Sequence, residues 1–360
     1  MENIKNGGNF NEKESFIVKD DIKETKKISL ISHDEKENIE KNNKFGKNYD
    51  KNYTCDDKNI SDDKNEWRNL KTDEIINLQD TLFSGQVFNF HKTDDDEFTG
   101  AIYFFIVTFK EKNGKIFYKI LHTKIENFYL IEMYLNRFFT LQINYSKIFT
   151  NQYTLGLRLL NNALIPTIFS FICSANNNVT RIQKMVNFLY SKGEFICKYK
   201  NIDLYYFPEL SKLLNIKNDL VEIGFGYRSS YIGKTAETLI NAKEFSIIKT
   251  FDDKILENYT QNGTTIKNLD YKKIENLLLK LSGVGPKVKD CILLMGIGMF
   301  KIVPIDTHIF KHAKKLFNFE CKILTSKNYK EIQEKFVDLF GEYAGIYQLF
   351  IFKDYLKKIN

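Results

Sequence analysis

The sequence predicts an α+β protein, with a polar tail, then an antiparallel sheet domain, then an all-helical domain. Three observations carry this reading. Residues 1–66 are rich in Asn, Lys, Asp and Glu and show no sustained apolar period. Between Leu78 and Leu121 the apolar residues fall in short aromatic and β-branched runs. After Lys124 they recur at helical spacing, and the 4 prolines of the 360-residue chain interrupt little of it. The expected domains are a disordered tail over 1–66, a sheet domain over 67–155 and a helical domain over 156–360.

The tail reads as disordered because so few large apolar residues cannot offset the chain entropy of ordering it. Order begins near Trp67. Val87-Phe88-Asn89-Phe90, Ala101–Phe109 and Ile116–Leu121 read as strands, and Asn113-Gly114 between the last two is a strong hairpin signal, since both turn positions need positive φ. In Asn178–Leu189 the apolar positions 182, 185, 186 and 189 make one helical stripe, with Asn178 placed to cap it and Gly193 to end it. Further helices are expected at Pro208–Leu214, Tyr231–Ala242, Ile274–Leu281, Lys287–Met295, Thr307–Phe317 and Tyr329–Leu339.

Charge and composition exclude several classes. The chain carries 53 Lys+Arg against 46 Asp+Glu, a formal +7, but the tail holds 13 lysines, no arginine and 16 acids. The ordered body is therefore near +10, which points toward a polyanion. The longest apolar runs, Ala101–Phe109 and Leu164–Cys173, are too short to span a membrane. No apolar segment follows Met1 as a signal peptide requires. Five cysteines (Cys55, Cys173, Cys197, Cys291, Cys321) lie far apart with no CxxC pair, which excludes a zinc ribbon and argues against a Cys-ligated iron–sulfur cluster. No metal and no cofactor is expected.

The chemistry concentrates at Leu281-Ser282-Gly283-Val284-Gly285-Pro286-Lys287-Val288-Lys289-Asp290-Cys291. A helix enters Gly-Val-Gly and Pro286 opens the next helix, so Gly283 and Gly285 allow a tight turn whose N–H groups suit a DNA phosphate. Lys287 sits in the first turn, where the helix dipole disfavours a cation. That position predicts a depressed pKa and an amine able to act as a nucleophile. Nineteen positions on, Asp306 in Val303-Pro304-Ile305-Asp306-Thr307-His308 directly precedes another helix. It is expected both to cap that helix and to face Lys287 across a cleft.

These residues resemble the helix-hairpin-helix DNA glycosylase superfamily with its Gly-Pro-Asp loop, and within it the 8-oxoguanine DNA glycosylase family. Four more segments carry the resemblance: Ser84-Gly85-Gln86-Val87-Phe88, the triple Asn at Asn176–Asn178 with Arg181, Gly224-Phe225-Gly226-Tyr227-Arg228, and Gly341-Glu342-Tyr343-Ala344-Gly345 with Gln348 and Phe352. All lie in order over about 78–352. The resemblance implies a TATA-binding-protein-like N-terminal sheet and a bifunctional glycosylase and AP lyase of base excision repair, acting on 8-oxoguanine opposite cytosine.

By the same resemblance Lys287 is the nucleophile and Asp306 the essential carboxylate. Cys291 and Phe352 sandwich the flipped base, Gln348 bonds its Watson–Crick edge, and the Gly85 carbonyl accepts its N7–H. Asn176 fills the vacated space, Tyr227 wedges beside it, Arg181 and Arg228 read the orphaned cytosine, and His308 contacts phosphate. The implied partner is damaged double-stranded DNA bound by a monomer, with no membrane involved, in the nucleus or else the mitochondrion. The sequence departs from the family at Asn161-Asn162, near a usual Asp-Pro, and at Asn89-Phe90, where Arg-Trp is usual. The alternatives are an endonuclease III-like enzyme, which generally carries a four-Cys cluster this chain lacks, and a non-catalytic helix-hairpin-helix DNA-binding protein. Backbone grip alone needs neither Lys287 nor Asp306.

Overall fold

The computed structural model describes residues 66–125, 127–149, 156–255 and 270–356. The tail expected to be disordered lies, save for Glu66, outside the described residues. β1 (Arg68–Asn69), β2 (His91–Asp94), β3 (Glu97–Ile102), β4 (Phe105–Lys112) and β5 (Lys115–Thr123) form one antiparallel sheet in the order β1-β5-β4-β3-β2. Asn113 and Gly114 turn β4 into β5 with φ of 55° and 69°, the two positive values expected of Asn-Gly. α1 (Leu78–Leu82) precedes β2, and α2 (Phe128–Phe138) packs its Ile131, Tyr134, Leu135 and Phe138 into one core with the sheet's Phe98, Phe105 and Phe109.

Two readings of the sheet region need correction. Leu78–Leu82 is a helix, because the Asn77 side chain accepts the Asp80 N–H at 2.7 Å and starts a turn there. Val87–Phe90 is extended chain leading into β2 and pairs with no strand. Its aromatic residues signalled burial, which Phe88 and Phe90 achieve, and not a place in the ladder.

The helical part follows with α3 (Tyr145–Ile148), α4 (Leu164–Ser174), α5 (Val179–Ser191), α6 (Lys217–Glu222), α7 (Arg228–Asn241), α8 (Ser246–Lys249), α9 (Tyr271–Leu279), α10 (Pro286–Ile292), α11 (Thr307–Leu316), α12 (Ser326–Phe340) and α13 (Ala344–Leu356). α5 buries Ile182, Met185, Val186 and Leu189, the stripe the sequence displays, and Asn178 caps it. This region is not purely helical, since β6 (Phe195–Tyr199) and β7 (Ile202–Tyr205) make a hairpin. Its turn uses Lys200 and Asn201 at φ of 44° and 67°, with no glycine to announce it. Pro208–Leu214 shortens to one 3₁₀ turn at Leu210–Leu213, and the helix expected to reach Met295 ends in a widened π turn over Leu293–Ile297.

Two arginines, Arg158 fully buried and Arg137 half-buried, join sheet and helices. The Arg158 guanidinium donates to the carbonyls of Phe139 (2.8 Å), Thr140 (2.8 Å) and Ile143 (3.0 Å) and pairs with Glu74 at 2.9 Å. Arg137 pairs with Asp252, whose other oxygen accepts the Leu164 N–H at 2.8 Å. Asp252 thus caps α4 from a distance, where Ala163 offers no capping side chain and the usual Asp-Pro is replaced. Burial holds the Asp252 carboxyl above the ordinary aspartate range despite Arg137. No helix among the described residues is long and apolar enough to cross a membrane. Arg158→Met is expected to remove the guanidinium that pairs Glu74 and bonds three carbonyls and to cost roughly 3–5 kcal/mol in urea unfolding. A loss under 1 kcal/mol would show that the hub is dispensable.

Candidate active site

One cavity of about 390 Å³, partly open to solvent, gathers residues from distant stretches of the chain. Ser84, Gly85 and Gln86 line it from the turn after α1, Phe171 from α4, and Lys287 and Cys291 from α10. Pro304 and Asp306 line it from the segment before α11, and Gln348, Leu349 and Phe352 from α13. Six residues singled out in the sequence, Gly85, Lys287, Cys291, Asp306, Gln348 and Phe352, therefore share a single pocket.

Each is placed by local physics. Gly85 takes φ of +83°, so its turn needs glycine for backbone reasons; a Cβ there would meet Phe352 and Val179 at an ordinary 3.7 Å. The buried side chains on either side hold that turn. Ser84 donates to the Thr81 carbonyl at 3.0 Å, while the Gln86 amide donates to Ser84 and to the Arg158 carbonyl, both at 2.9 Å, and accepts the Leu160 N–H at 2.8 Å. The sequence reading assigned Ser84 and Gln86 no role, although both stand in the motif it quoted. Asn89, at the departing Asn-Phe position, is buried and donates to the Ala101 carbonyl at 2.8 Å.

Asp306 is the expected N-cap: one oxygen accepts the N–H groups of His308 (2.9 Å) and Ile309 (2.8 Å). Lys287 occupies the second position of α10 behind Pro286, with its ammonium 5.8 Å from the centre of the Phe171 ring. It hydrogen-bonds the Cys291 sulfur one turn on, and no ion pair joins it to Asp306. The expected depressed pKa is overturned. Burial does push the Lys287 ammonium toward neutrality, but the Cys291 sulfur and the Asp306 carboxylate outweigh it and hold the pKa above the ordinary lysine value. Burial in turn raises the Cys291 thiol, against the pull of Lys287. Gln348 is buried, and its amide has no hydrogen-bond partner among the described residues.

The residues expected to meet the duplex lie in the turn from α4 to α5, in the first turn of α5 and at the start of α7. Asn176 is exposed with φ of 48°. Tyr227, 51% exposed, donates to the Ala175 carbonyl at 3.1 Å and sets its ring edge-on to Tyr231. Exposed Arg181 donates to the Gly224 carbonyl at 2.6 Å. Arg228 differs from the expectation of an open fork. It is buried, and its guanidinium donates to the carbonyls of Ala175 and Asn176, bracing the turn that presents Asn176.

The helical hairpin stands beside them. Gly283 adopts φ of +84° with the Tyr231 ring so close that a Cβ would fall 2.7 Å from it, and Thr235 of α7 donates to the Ser282 carbonyl at 3.0 Å. Gly285 is the open N-cap of α10, and His308 is half-buried in the first turn of α11. Among the described residues no cluster of three or more His, Cys, Asp or Glu could hold a metal ion.

A sheet followed by helices, with a lysine one residue inside the second helix of a glycine hairpin and an aspartate capping a nearby helix, is the arrangement that the sequence's resemblance to helix-hairpin-helix glycosylases implies. The comparisons narrow it. The model of the 8-oxoguanine DNA glycosylase N-terminal domain matches residues 68–161. An N-glycosylase/DNA lyase of Saccharomyces cerevisiae is 34% identical over 221 residues, 60% of this chain, and the match spans only 56% of the yeast protein. The N-glycosylase/DNA lyase OGG1 of Arabidopsis thaliana is 27% identical over 302 residues, 79% of each chain. In fold, the chain is similar to the Clostridium acetobutylicum 8-oxoguanine glycosylase/lyase solved with double-stranded DNA containing cytosine opposite 8-oxoG. The TM-score is 0.63 at 23% identity, over 82% of this chain and 99% of that one. Both the sequence relatives and the fold neighbours are thus N-glycosylase/DNA lyases and 8-oxoguanine glycosylases.

Asp306→Asn is expected to lower the Lys287 pKa, because it removes one of the two groups that hold it up. The check is the pH titration of the ¹³C-methyl signal of reductively methylated Lys287. An unchanged titration would mean that Asp306 exerts no field at the amine.

Proposed function

We propose that the protein is a DNA glycosylase and AP lyase that extrudes 8-oxoguanine paired with cytosine and excises it by lysine Schiff-base chemistry. The observation that carries this reading is the shared cavity: an amine, a carboxylate, a buried amide and a Gly85 turn line one space. Such chemistry cannot reach a base inside the stack, so the target must be flipped out and the hole filled. Asn176 fills the vacated space, Tyr227 wedges beside it, Arg181 reads the orphaned cytosine, and Phe352 and Cys291 hold the base. The hairpin glycines and His308 supply N–H and imidazole donors to the phosphates.

In the proposed reaction the Lys287 amine, once deprotonated, attacks the sugar C1′. The C1′–N9 bond breaks and its electron pair leaves with the purine, which gains a proton; Lys287 must shed one, so the proton count closes. The carboxylate of Asp306, fixed by two N–H groups, stabilises the positive charge that develops on the sugar. Ring opening then gives an imine between Nζ and C1′. Loss of a C2′ proton expels the 3′ phosphate by β-elimination. The working unit is proposed to be a monomer on duplex DNA acting in the nucleus, with the mitochondrion the other compartment. Sedimentation with DNA and cell fractionation decide these two points.

Lys287→Gln is expected to abolish both base release and borohydride trapping on an 8-oxoguanine duplex while duplex affinity stays within a few-fold. A variant that still traps covalently would place the nucleophile elsewhere. Opposite-base choice follows from donor geometry. An arginine offers only donors, which suit the O2 and N3 acceptors of cytosine, whereas adenine sets an amine against them. Single-turnover excision is expected to be fastest opposite cytosine, with each well-made contact contributing roughly 1–3 kcal/mol of discrimination. Arg181→Ala, which removes the exposed fork, is expected to reduce the cytosine-to-adenine rate ratio. Equal wild-type rates opposite the two bases would sink the assignment.

A further inference from the structure

The two reacting groups come from separate elements. Lys287 rides on α10, while Asp306 ends a segment whose Val303 and Ile305 are buried in a small core with Ile309, Ile332 and Phe336. Between them lies Asp290, fully buried on α10, three residues after Lys287 and one before Cys291. One of its carboxylate oxygens accepts the Tyr329 hydroxyl at 2.6 Å and the Gln333 amide at 2.9 Å. The other faces the Lys289 ammonium at 2.9 Å, near enough to attract it by charge but not aligned as a hydrogen bond.

Tyr329 and Gln333 stand four residues apart on one face of α12 and continue the chain of contacts. The Tyr329 oxygen, its proton given to Asp290, accepts the Ile305 N–H at 3.1 Å. The second N–H of the Gln333 amide goes to the Val303 carbonyl at 2.8 Å. The backbone on both sides of Pro304 is therefore held by two side chains that share one buried carboxylate of the nucleophile's own helix.

We propose that Asp290, Tyr329 and Gln333 are positioning residues that set the separation of Lys287 and Asp306. None of the three lines the cavity, so none is a catalytic residue. A salt bridge between Lys287 and Asp306 could fix the same separation only by neutralising both, whereas this clamp works through backbone atoms. The proposal rests on the reading of Lys287 and Asp306 as the reacting pair.

The test is Tyr329→Phe in the full chain, which keeps the ring and removes the link to Ile305. Near-attack geometry is steep, and a misplacement of about 1 Å costs on the order of 100-fold. Single-turnover excision of 8-oxoguanine opposite cytosine is expected to fall about 10- to 100-fold, with duplex affinity within threefold of wild type. A second readout needs no catalysis. The titratable groups acting on Lys287 are Cys291 on its own helix and Asp306 from the facing segment, with the Phe171 ring of α4 beside it. Loosening the Asp306 segment is therefore expected to move the Lys287 titration to lower pH, which a general loss of stability would not do.

Gln333→Leu, which cuts the Val303 link, is run in parallel and replaces Tyr329→Phe if that variant melts too low to assay. An excision rate within twofold of wild type, or affinity and rate falling together, overturns the clamp and leaves the glycosylase reading intact. If wild type itself neither excises nor traps, the glycosylase reading is overturned. The clamp is then judged on the Lys287 titration alone, and an unchanged titration overturns it.

Discussion

An ammonium and a carboxylate must share a small, partly dry pocket without collapsing onto each other. At about 4 Å two unit charges attract by roughly 4 kcal/mol in a protein-like dielectric, enough to hold lysine and aspartate together as an inert pair. The structure opposes this by giving each partner other work. Asp306 spends one oxygen on the N–H groups of His308 and Ile309, so its position is that of a helix cap and cannot follow the lysine. Lys287 leans on the Cys291 sulfur within its own helix. The attraction survives as a field, visible in the raised lysine pKa, without becoming a contact.

The same constraint gives the sheet domain a part in the pocket. Gly85 lines the cavity from a turn at positive φ that must be held still, and the groups that hold it are buried. Gln86 bonds the Arg158 and Leu160 backbone, and the Arg158 side chain bonds three further carbonyls and Glu74. Buried polar groups of this kind specify geometry because each lost partner leaves an unpaired donor or acceptor in a low-dielectric interior.

The elements legible in the sequence are those whose cause is local. Asn113-Gly114, the capped stripe after Asn178, and Pro286 behind a glycine hairpin each contain their own physical reason, and each stands where it was expected. The shared pocket was legible only through resemblance, since Gly85 and Phe352 are separated by nearly the whole ordered chain. What escaped depends on contacts across the fold. The β6–β7 turn uses αL residues that are not glycine, α4 is capped by Asp252 from far along the chain, and the Lys287 pKa follows from the Cys291 sulfur one turn on and a carboxylate nineteen positions away.

Arg228 stands in a posture that its motif does not announce. Its place in Gly224–Arg228 suggests a fork aimed at an orphaned base, yet the buried guanidinium binds the carbonyls of Ala175 and Asn176. A turn that carries Asn176 at φ of 48° is costly to hold, and a flexible version would have to be ordered anew at each encounter with DNA. Bracing it beforehand shifts that entropy cost from binding to folding. The consequence for base flipping is a division of labour. Exposed Arg181 keeps part of its fork at the surface, and Arg228 acts by rigidity, bracing the turn of Asn176 beside Tyr227 before any partner arrives.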